Sequence, residues 1–489
     1  MKKRNTSLGK FQMSTHRIRA YKGTHSKRIN VAPYDSDYLR VTNCASFRRL
    51  QDKTQLFPLE KHDYARSRLT HSCEVAAVGK SLSFCVAKIY SNSNPSSNLK
   101  LHFISSVLPT CCLLHDIGNP PFGHYGESII RKFFKDNWDK LMYRKENGDL
   151  VKLSELIPQN TQEYNDFIHF DGNAQSLRCV DKLECFANNP NGLNLTSTVL
   201  GGLIKYPYSS LCCKKNSKFG YFKTEENVIK FLTDEGDFVE GHVNPIALLM
   251  EAADDISMFC SDIQDSVNKG CITIDDIEQS ACRKKAFREF KNKVLENYSE
   301  NEKQKNNNCN ILQLSIDTAL FDIRNKLISE TACVFYDYYK SIVNCKRKFA
   351  RKNSDDKHHS LASLTSSYSI IEAFKDIIIK KVYSNKQIIK PEIQGDKIIT
   401  KLLEEFCDNI LKKSLGDILN VESAKNYDDK ILLMISPNYR RIYKNRIQNL
   451  KKLNLFDDKV DCYERLHLIV DEICGMTDTY AFDAYTMLK

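Results

Sequence analysis

No stretch of the sequence approaches the roughly 18 consecutive apolar residues of a membrane span, which argues against a helical membrane protein. The basic start, MKKRNTSLGK, has no apolar segment behind it, so secretion and membrane insertion are not expected. A Gly-rich phosphate loop is missing, and so is any internal repeat, which sets aside P-loop nucleotidases and solenoids. None of the 18 cysteines stands in a C-x-x-C pair, and Cys111 with Cys112 and Cys212 with Cys213 are adjacent pairs unsuited to ordinary bridges. A disulfide framework and a thiolate-held structural zinc are both disfavoured, and the cysteines read as reduced thiols of a cytoplasmic protein. The single Trp carries no message, and 42% hydrophobic with 27% charged residues is the balance of a globular chain rather than a disordered one. Charge of one sign is only modestly in excess. The formal +11 comes from 72 Lys and Arg against 61 Asp and Glu, without a dominant basic tail. Such a surface suits a polyanionic partner, and it is equally the solvated face of an ordinary basic protein.

What is present is helical periodicity with polar breaks. At 489 residues the chain has ample length for a large core. Its pattern predicts one extended all-α body, with residues 1–35 as a basic, irregular lead-in, 36–270 as the segment richest in chemistry, and 271–489 as a helical C-terminal region. Leu56 to Glu60 reads as a strand-like end to a donor-rich segment. Residues 140–165 read as loop with short helical pieces. Breaks are expected at 91–98, 299–310 and 351–360, with helices over 312–349, 370–383 and 398–415.

The stretch that organises the rest is LLHDIGNPPFGHYGE, Leu113 to Glu127. Ile104, Leu108, Cys111 and His115 fall at i, i+4, i+7 and i+11, so His115 ends the buried stripe of a helix, beside Asp116. An imidazole and a carboxylate on one turn can hold a divalent ion, which relieves the cost of burying the carboxylate. The plainer reading is a satisfied core His and a helix-terminal Asp. Three further features bear on that choice. His71 shares a helical face with Val75, Val78 and Leu82, and antiparallel packing of its helix can bring it opposite His115. Asn244 and Pro245 signal a helix start, and the helix they open carries Glu251, Asp254 and Asp255 at its apolar centre, where unpaired carboxylates are costly. Asp254 or Asp255 can therefore supply a further ligand. Lys205, Tyr206 and Tyr208, read as exposed around Pro207, together with Lys218, form a loop-edge cluster of the kind that holds phosphates, though most such clusters are only surface.

RSRLTHSCEVA, LLHDIGNPPFGHYGE, DGNAQSLR and EAADDIS, in this order, resemble the HD-domain deoxyguanosine triphosphate triphosphohydrolases, densely from about Arg40 to Asp265 and thinly to GMTDTYA near the end. The resemblance implies an HD-type helical phosphohydrolase core over 36–270, with 271–489 completing the substrate pocket and the oligomer contacts. It makes His71, His115, Asp116 and Asp254 the metal ligands, and His124 with Glu127 the catalytic pair. Gln55, Asn173, Lys205, Tyr206, Lys218 and Asp262 match residues lining the nucleotide pocket, and a C-terminal arginine, Arg440 or Arg441, completes it. Two positions depart from the pattern. Asp171 stands where Glu is commoner, and Met258 where a Tyr usually lies under the deoxyribose, which loosens the expected exclusion of a 2′-hydroxyl.

The function this implies is hydrolysis of a deoxynucleoside triphosphate, dGTP foremost, by water attack at the α-phosphate, with Mn²⁺ or Mg²⁺ first among cofactors and Fe²⁺, Ni²⁺ or Zn²⁺ also suited to the ligands. His124 acts as general acid or base, tuned by Glu127, and Tyr206 and the lysines stabilise charge on the triphosphate. The resemblance also implies a homohexamer and a single-stranded DNA effector, with no membrane partner. Rival readings are an HD-type phosphohydrolase of another nucleotide, a regulator that binds nucleotide or single-stranded DNA without turnover, and a structural helical protein.

Overall fold

The computed structural model describes residues 13–18, 31–59, 65–93, 103–184, 192–213, 218–280, 282, 284–303, 310–343 and 360–489. Twenty-one α-helices, six short 3-10 or π turns and one two-stranded hairpin account for the regular structure among them, so the chain is all-α. Helices α1 (Pro33–Thr42) and α2 (Ala45–Arg49) lead into α3 (Arg68–Ser93) and α4 (Ile104–Leu114). Every residue of α4 except Ser105 and Ser106 is buried, because the helix is apolar on all sides and is enclosed by neighbours rather than by water.

Those neighbours are α3, α1, and two later helices, α9 and α11. Between them the chain runs through α5 (Gly123–Asn137), the hairpin β1 (Met142–Arg144) and β2 (Leu150–Lys152), α6 (Leu153–Leu156), α7 (Gln162–Ile168), α8 (Gly172–Arg178), α9 (Ser197–Leu203) and α10 (Glu226–Asp234) to α11 (Pro245–Asn268). Asn244 caps α11 by accepting a hydrogen bond from the Ile246 amide at 2.9 Å, with Pro245 in the first position, as its sequence signal predicts.

The C-terminal half continues as α12 (Ile274–Glu278), α13 (Lys285–Lys303), α14 (Ile311–Val343), α15 (Tyr368–Lys381), α16 (Lys386–Phe406), α17 (Leu415–Asn420), α18 (Tyr427–Met434), α19 (Pro437–Lys452), α20 (Asp458–Gly475) and α21 (Asp478–Met487). Helix α14 packs on α3, α11 and α13, whereas α16 packs on α5, α20 and α21. No helix among the described residues is long and apolar enough to cross a membrane, and the cysteines there are free thiols.

Three expectations need correction. Residues 142–152 form an antiparallel hairpin, with Tyr143 opposite Val151, and not loop. An Asn147-Gly148 turn closes it, Gly148 having φ +96°, and the buried Tyr143 hydroxyl donates to Asp461 at 2.6 Å. No strand forms over Leu56–Leu59; the segment's only pairing is an isolated bridge between Thr54 and Ser67. Tyr206 is buried rather than exposed, and the Lys205 side chain is 12% exposed, because both turn inward after α9. Of the lead-in, residues 13–18 pack on the body: Met13 is buried, Arg17 pairs with Asp37 at 2.6 Å, and the Ser14 amide donates to Asp237 at 3.1 Å. The remainder of 1–30 lies outside the described residues, as do 94–98, 304–309 and 351–359 of the expected breaks.

Candidate active site

Helices α3, α4 and α11 each deliver one side chain to a common point. His71 lies in the first turn of α3, His115 follows the last residue of α4, and Asp254 lies midway along α11. One ligand atom from each falls within 4.8 Å of the others. His71 Nε2 stands 3.2 Å from Asp254 Oδ1, and the two imidazole rings meet edge to face at 5.4 Å. The Nδ1 of His115 is 2.7 Å from the Cys112 carbonyl, which can only accept, so Nδ1 carries the proton and Nε2 presents a lone pair.

That Nε2 has no hydrogen-bond partner, although Asp116 Oδ2 and Asp254 Oδ1 each stand 3.4 Å from it. A buried nitrogen lone pair facing two carboxylates is the donor set of a divalent ion, so these residues fit one. Burial lowers the proton affinity of His115, but Asp116 and Asp254 outweigh it and raise its pKa. For Asp254, burial acts upward, and Lys205, His115 and His71 together hold the carboxyl well below its usual range. Lys205 Nζ reaches Asp254 Oδ2 at 3.1 Å, leaving Oδ1 toward the histidines. Asp116 is shared with the Arg68 guanidinium, which holds its carboxyl low against burial.

The turn between α4 and α5 presents the second pair. Phe122 sits in the left-handed region at φ +60° and Gly123 follows at +57°. Gly123 suits its left-handed backbone at no steric cost, and a Cβ there would push on the Arg68 guanidinium, which is engaged with Asp116. One residue on, His124 has a side chain 68% exposed at the lip, while its partner Glu127 is 1% exposed; His124 Nδ1 is 3.3 Å from Glu127 Oε2. Glu127 Oε1 accepts from the Gly172 amide at 3.0 Å, where any Cβ would lie 2.6 Å from that oxygen. Burial pushes the Glu127 carboxyl up, but His124, Lys218 and Arg131 bring it down to about 2, so it stays ionised at neutral pH and can fix the ring of His124.

The residues expected to meet a nucleotide are placed unequally. Lys218 lies 6.0 Å over the Tyr206 ring, and its charge is favoured by Asp171, Tyr206 and Glu127 against burial. Asn173 is tied back to Asp171, which caps α8. Gln55 Oε1 is buried with no hydrogen-bond partner. Asp262 lines a cavity of ≈ 180 Å³ with Asp255, Met258, Phe259, Ile371 and Tyr383, and burial, with Asp265 beside it, pushes its carboxyl up to about 7. Arg440 donates from Nε to the Ile435 carbonyl and faces Glu472, and Arg441 bonds Asn438, so within one chain both belong to the α18–α20 region. Arg68 is the contact that the sequence reading missed. Its position three residues before His71 puts both on one helix face, and that spacing was a usable signal.

An all-α body holding this His–Asp cluster beside a His–Glu pair belongs among the helical hydrolases. No family model matches the sequence. It is 34% identical over 482 residues to the deoxyguanosinetriphosphate triphosphohydrolase-like protein of Listeria monocytogenes, covering 95% of this chain and 96% of that one. It is 30% identical over 509 residues to the deoxyguanosinetriphosphate triphosphohydrolase of Salmonella paratyphi A, and 29% over 510 residues to that of Enterobacter sp., covering 96% of each chain in both cases. The chain therefore belongs to the deoxyguanosinetriphosphate triphosphohydrolase family.

Proposed function

We propose that this protein hydrolyses dGTP to deoxyguanosine and inorganic triphosphate, using a divalent ion held by His71, His115, Asp116 and Asp254. The observation that carries this reading is His115 Nε2, buried without a hydrogen-bond partner and 3.4 Å from a carboxylate oxygen of each of Asp116 and Asp254. A bound ion supplies Lewis acidity that offsets phosphate charge and acidifies water; Mn²⁺ or Mg²⁺ comes first, with Fe²⁺, Ni²⁺ and Zn²⁺ suited to the same donors. The protein's own groups do the rest. Water adds its oxygen to the α-phosphorus, the bond from that phosphorus to the nucleoside 5′-oxygen breaks, and the 5′-oxygen takes up a proton. His124, at the lip and held through Nδ1 by the ionised Glu127, has Nε2 left over to deliver that proton as general acid. Lys218, Tyr206 and Lys205 meet the triphosphate, where fixed positive charge stabilises the transition state.

In this reading Gln55, Asn173 and Asp262 contact the nucleoside side, and Arg440 does so from another copy, which fits the family's expected homohexamer. A single-stranded DNA effector belongs to the same reading, supported by the basic balance of the chain, and so does a cytoplasmic setting, supported by the free cysteines. The test is product analysis: purified protein with Mn²⁺ or Mg²⁺, given each deoxynucleoside triphosphate and GTP. Deoxyguanosine with intact triphosphate is the expected outcome, and turnover of GTP would trace to Met258. Release of pyrophosphate and a monophosphate would overturn the reaction, and no turnover by metal-loaded protein, with or without single-stranded DNA, would favour a binding role.

A further inference from the structure

The end of the chain reaches back into the active site. Asp478, the first residue of α21, is 2% exposed, yet its carboxylate serves two distant backbone segments. Oδ1 accepts from the Phe122 amide at 2.9 Å, across 356 residues of sequence. Oδ2 accepts from the Thr54 amide at 3.0 Å and from the Thr54 hydroxyl at 2.5 Å. Phe122 is the left-handed residue that starts α5 two positions before His124, and Thr54 is the neighbour of Gln55. A second bridge runs alongside, in which Lys53 Nζ donates to the Asn119 and Cys474 carbonyls, at 2.6 Å each. The Phe122 ring lies against Gly395 of α16, where a Cβ would come within 2.9 Å of it.

A non-glycine residue at positive φ costs free energy and persists only where its surroundings over-determine it. Here the restraint comes from one buried carboxylate on α21 and one glycine on α16. Both lie in the C-terminal region, far in sequence from the residues that carry the chemistry. We infer that Asp478 is a positioning residue, whose carboxylate fixes the turn presenting His124 relative to the segment presenting Gln55. The acid at the lip and the contact beyond it are thus set in register by the last helix of the chain. A carboxylate suits the task because its two oxygens accept three hydrogen bonds at once, which an amide cannot do without turning a donor toward one of the amides it should serve.

The kinetic part of this inference rests on the dGTP reading above; the structural part does not. The experiment compares wild-type protein with Asp478→Asn, Thr54→Val and Thr54→Ser. It reads kcat and KM for dGTP, bound Mn²⁺, and hydrogen–deuterium exchange over residues 53–57 and 118–124. Misplacement of a reacting group by about 1 Å costs about 10²-fold in turnover. Asp478→Asn is therefore expected to lose about that much kcat, with a smaller rise in KM through Gln55 and Mn²⁺ content nearly unchanged, while exchange rises in both segments together. Thr54→Val is expected to follow the same pattern more weakly, and Thr54→Ser to restore it. Wild-type kcat in Asp478→Asn, or faster exchange in only one of the two segments, would overturn the inference. Should the wild type turn over no dGTP, the proposed function fails, and the exchange data still decide the clasp.

Discussion

His115 and His467 are both buried, and both have an Nε2 without a hydrogen-bond partner, yet their surroundings are opposite in character. Around His115 the carbonyl of Cys112 fixes the tautomer and two carboxylates face the free nitrogen, so its pKa is raised against burial. Around His467 the neighbours are rings: Tyr463 at 4.6 Å and Phe167 and Phe222 at 5.0 Å, between centroids. Neither of its nitrogens finds a partner among the described residues, and burial, with Arg178 and Lys182 adding to it, pushes its pKa well below the ordinary value. Burial alone therefore does not mark a functional histidine. What marks it is charge of the opposite sign converging on a nitrogen that has been left open.

That contrast can be tested at several strengths. The largest effect is expected at His124, the only member of the site with an exposed ring. His124→Ala removes general acid catalysis, worth about 10²–10⁴ in kcat, and leaves bound metal unchanged, as steady-state kinetics with metal analysis would show. Loss of metal in that variant would place His124 among the ligands instead. Next comes Lys205, which holds the second oxygen of Asp254. Lys205→Met is expected to lower kcat/KM by about 10–100-fold, the usual cost of removing a partner that orients a ligand. An unchanged kcat/KM would mean that Lys205 neither orients Asp254 nor meets the triphosphate.

The smallest effect concerns stability at His467. Its folded pKa is depressed, so below about pH 6.5 the unfolded chain takes up a proton that the folded chain refuses. Stability contributed by the neutral ring is present above that pH and is lost as pH falls, at up to about 1.4 kcal/mol per pH unit. His467→Phe, which replaces the ring with another aromatic in an aromatic box, is expected to flatten the acid limb of denaturant-unfolding curves between about pH 6.5 and 5 and to leave kcat alone. An unaltered acid limb would show that other groups govern acid unfolding.

Much of the architecture follows from local signals. The stripe from Ile104 to His115 locates α4 and the direction of its last residue, and the Asn244-Pro245 start locates α11 and hence Asp254. These signals work because a helix face and a cap are set by neighbours within one or two turns. The hairpin carried a local signal too, Asn147-Gly148, but its strands are three residues each and are anchored to α20 through Tyr143 and Asp461, which are far apart in sequence. Long-range partners left no trace in periodicity. Spacing from His71 put Arg68 on the right helix face, but its pairing with Asp116 required the geometry, as did the reach of Asp478 to Phe122 and the inward turn of Lys205 and Tyr206. Periodicity reports that a residue is buried and leaves open what it is buried against, which is the difference between His115 and His467.

The central claim is that the free nitrogen of His115 is a metal ligand, and Mn²⁺ titration of three metal-stripped proteins tests it most directly. Wild type and His467→Phe are expected to take up one tightly bound ion per chain, and His115→Ala to lose it while keeping its fold by circular dichroism. Equal Mn²⁺ uptake by His115→Ala and wild type would contradict the account, reducing His115 to the same kind of core histidine as His467.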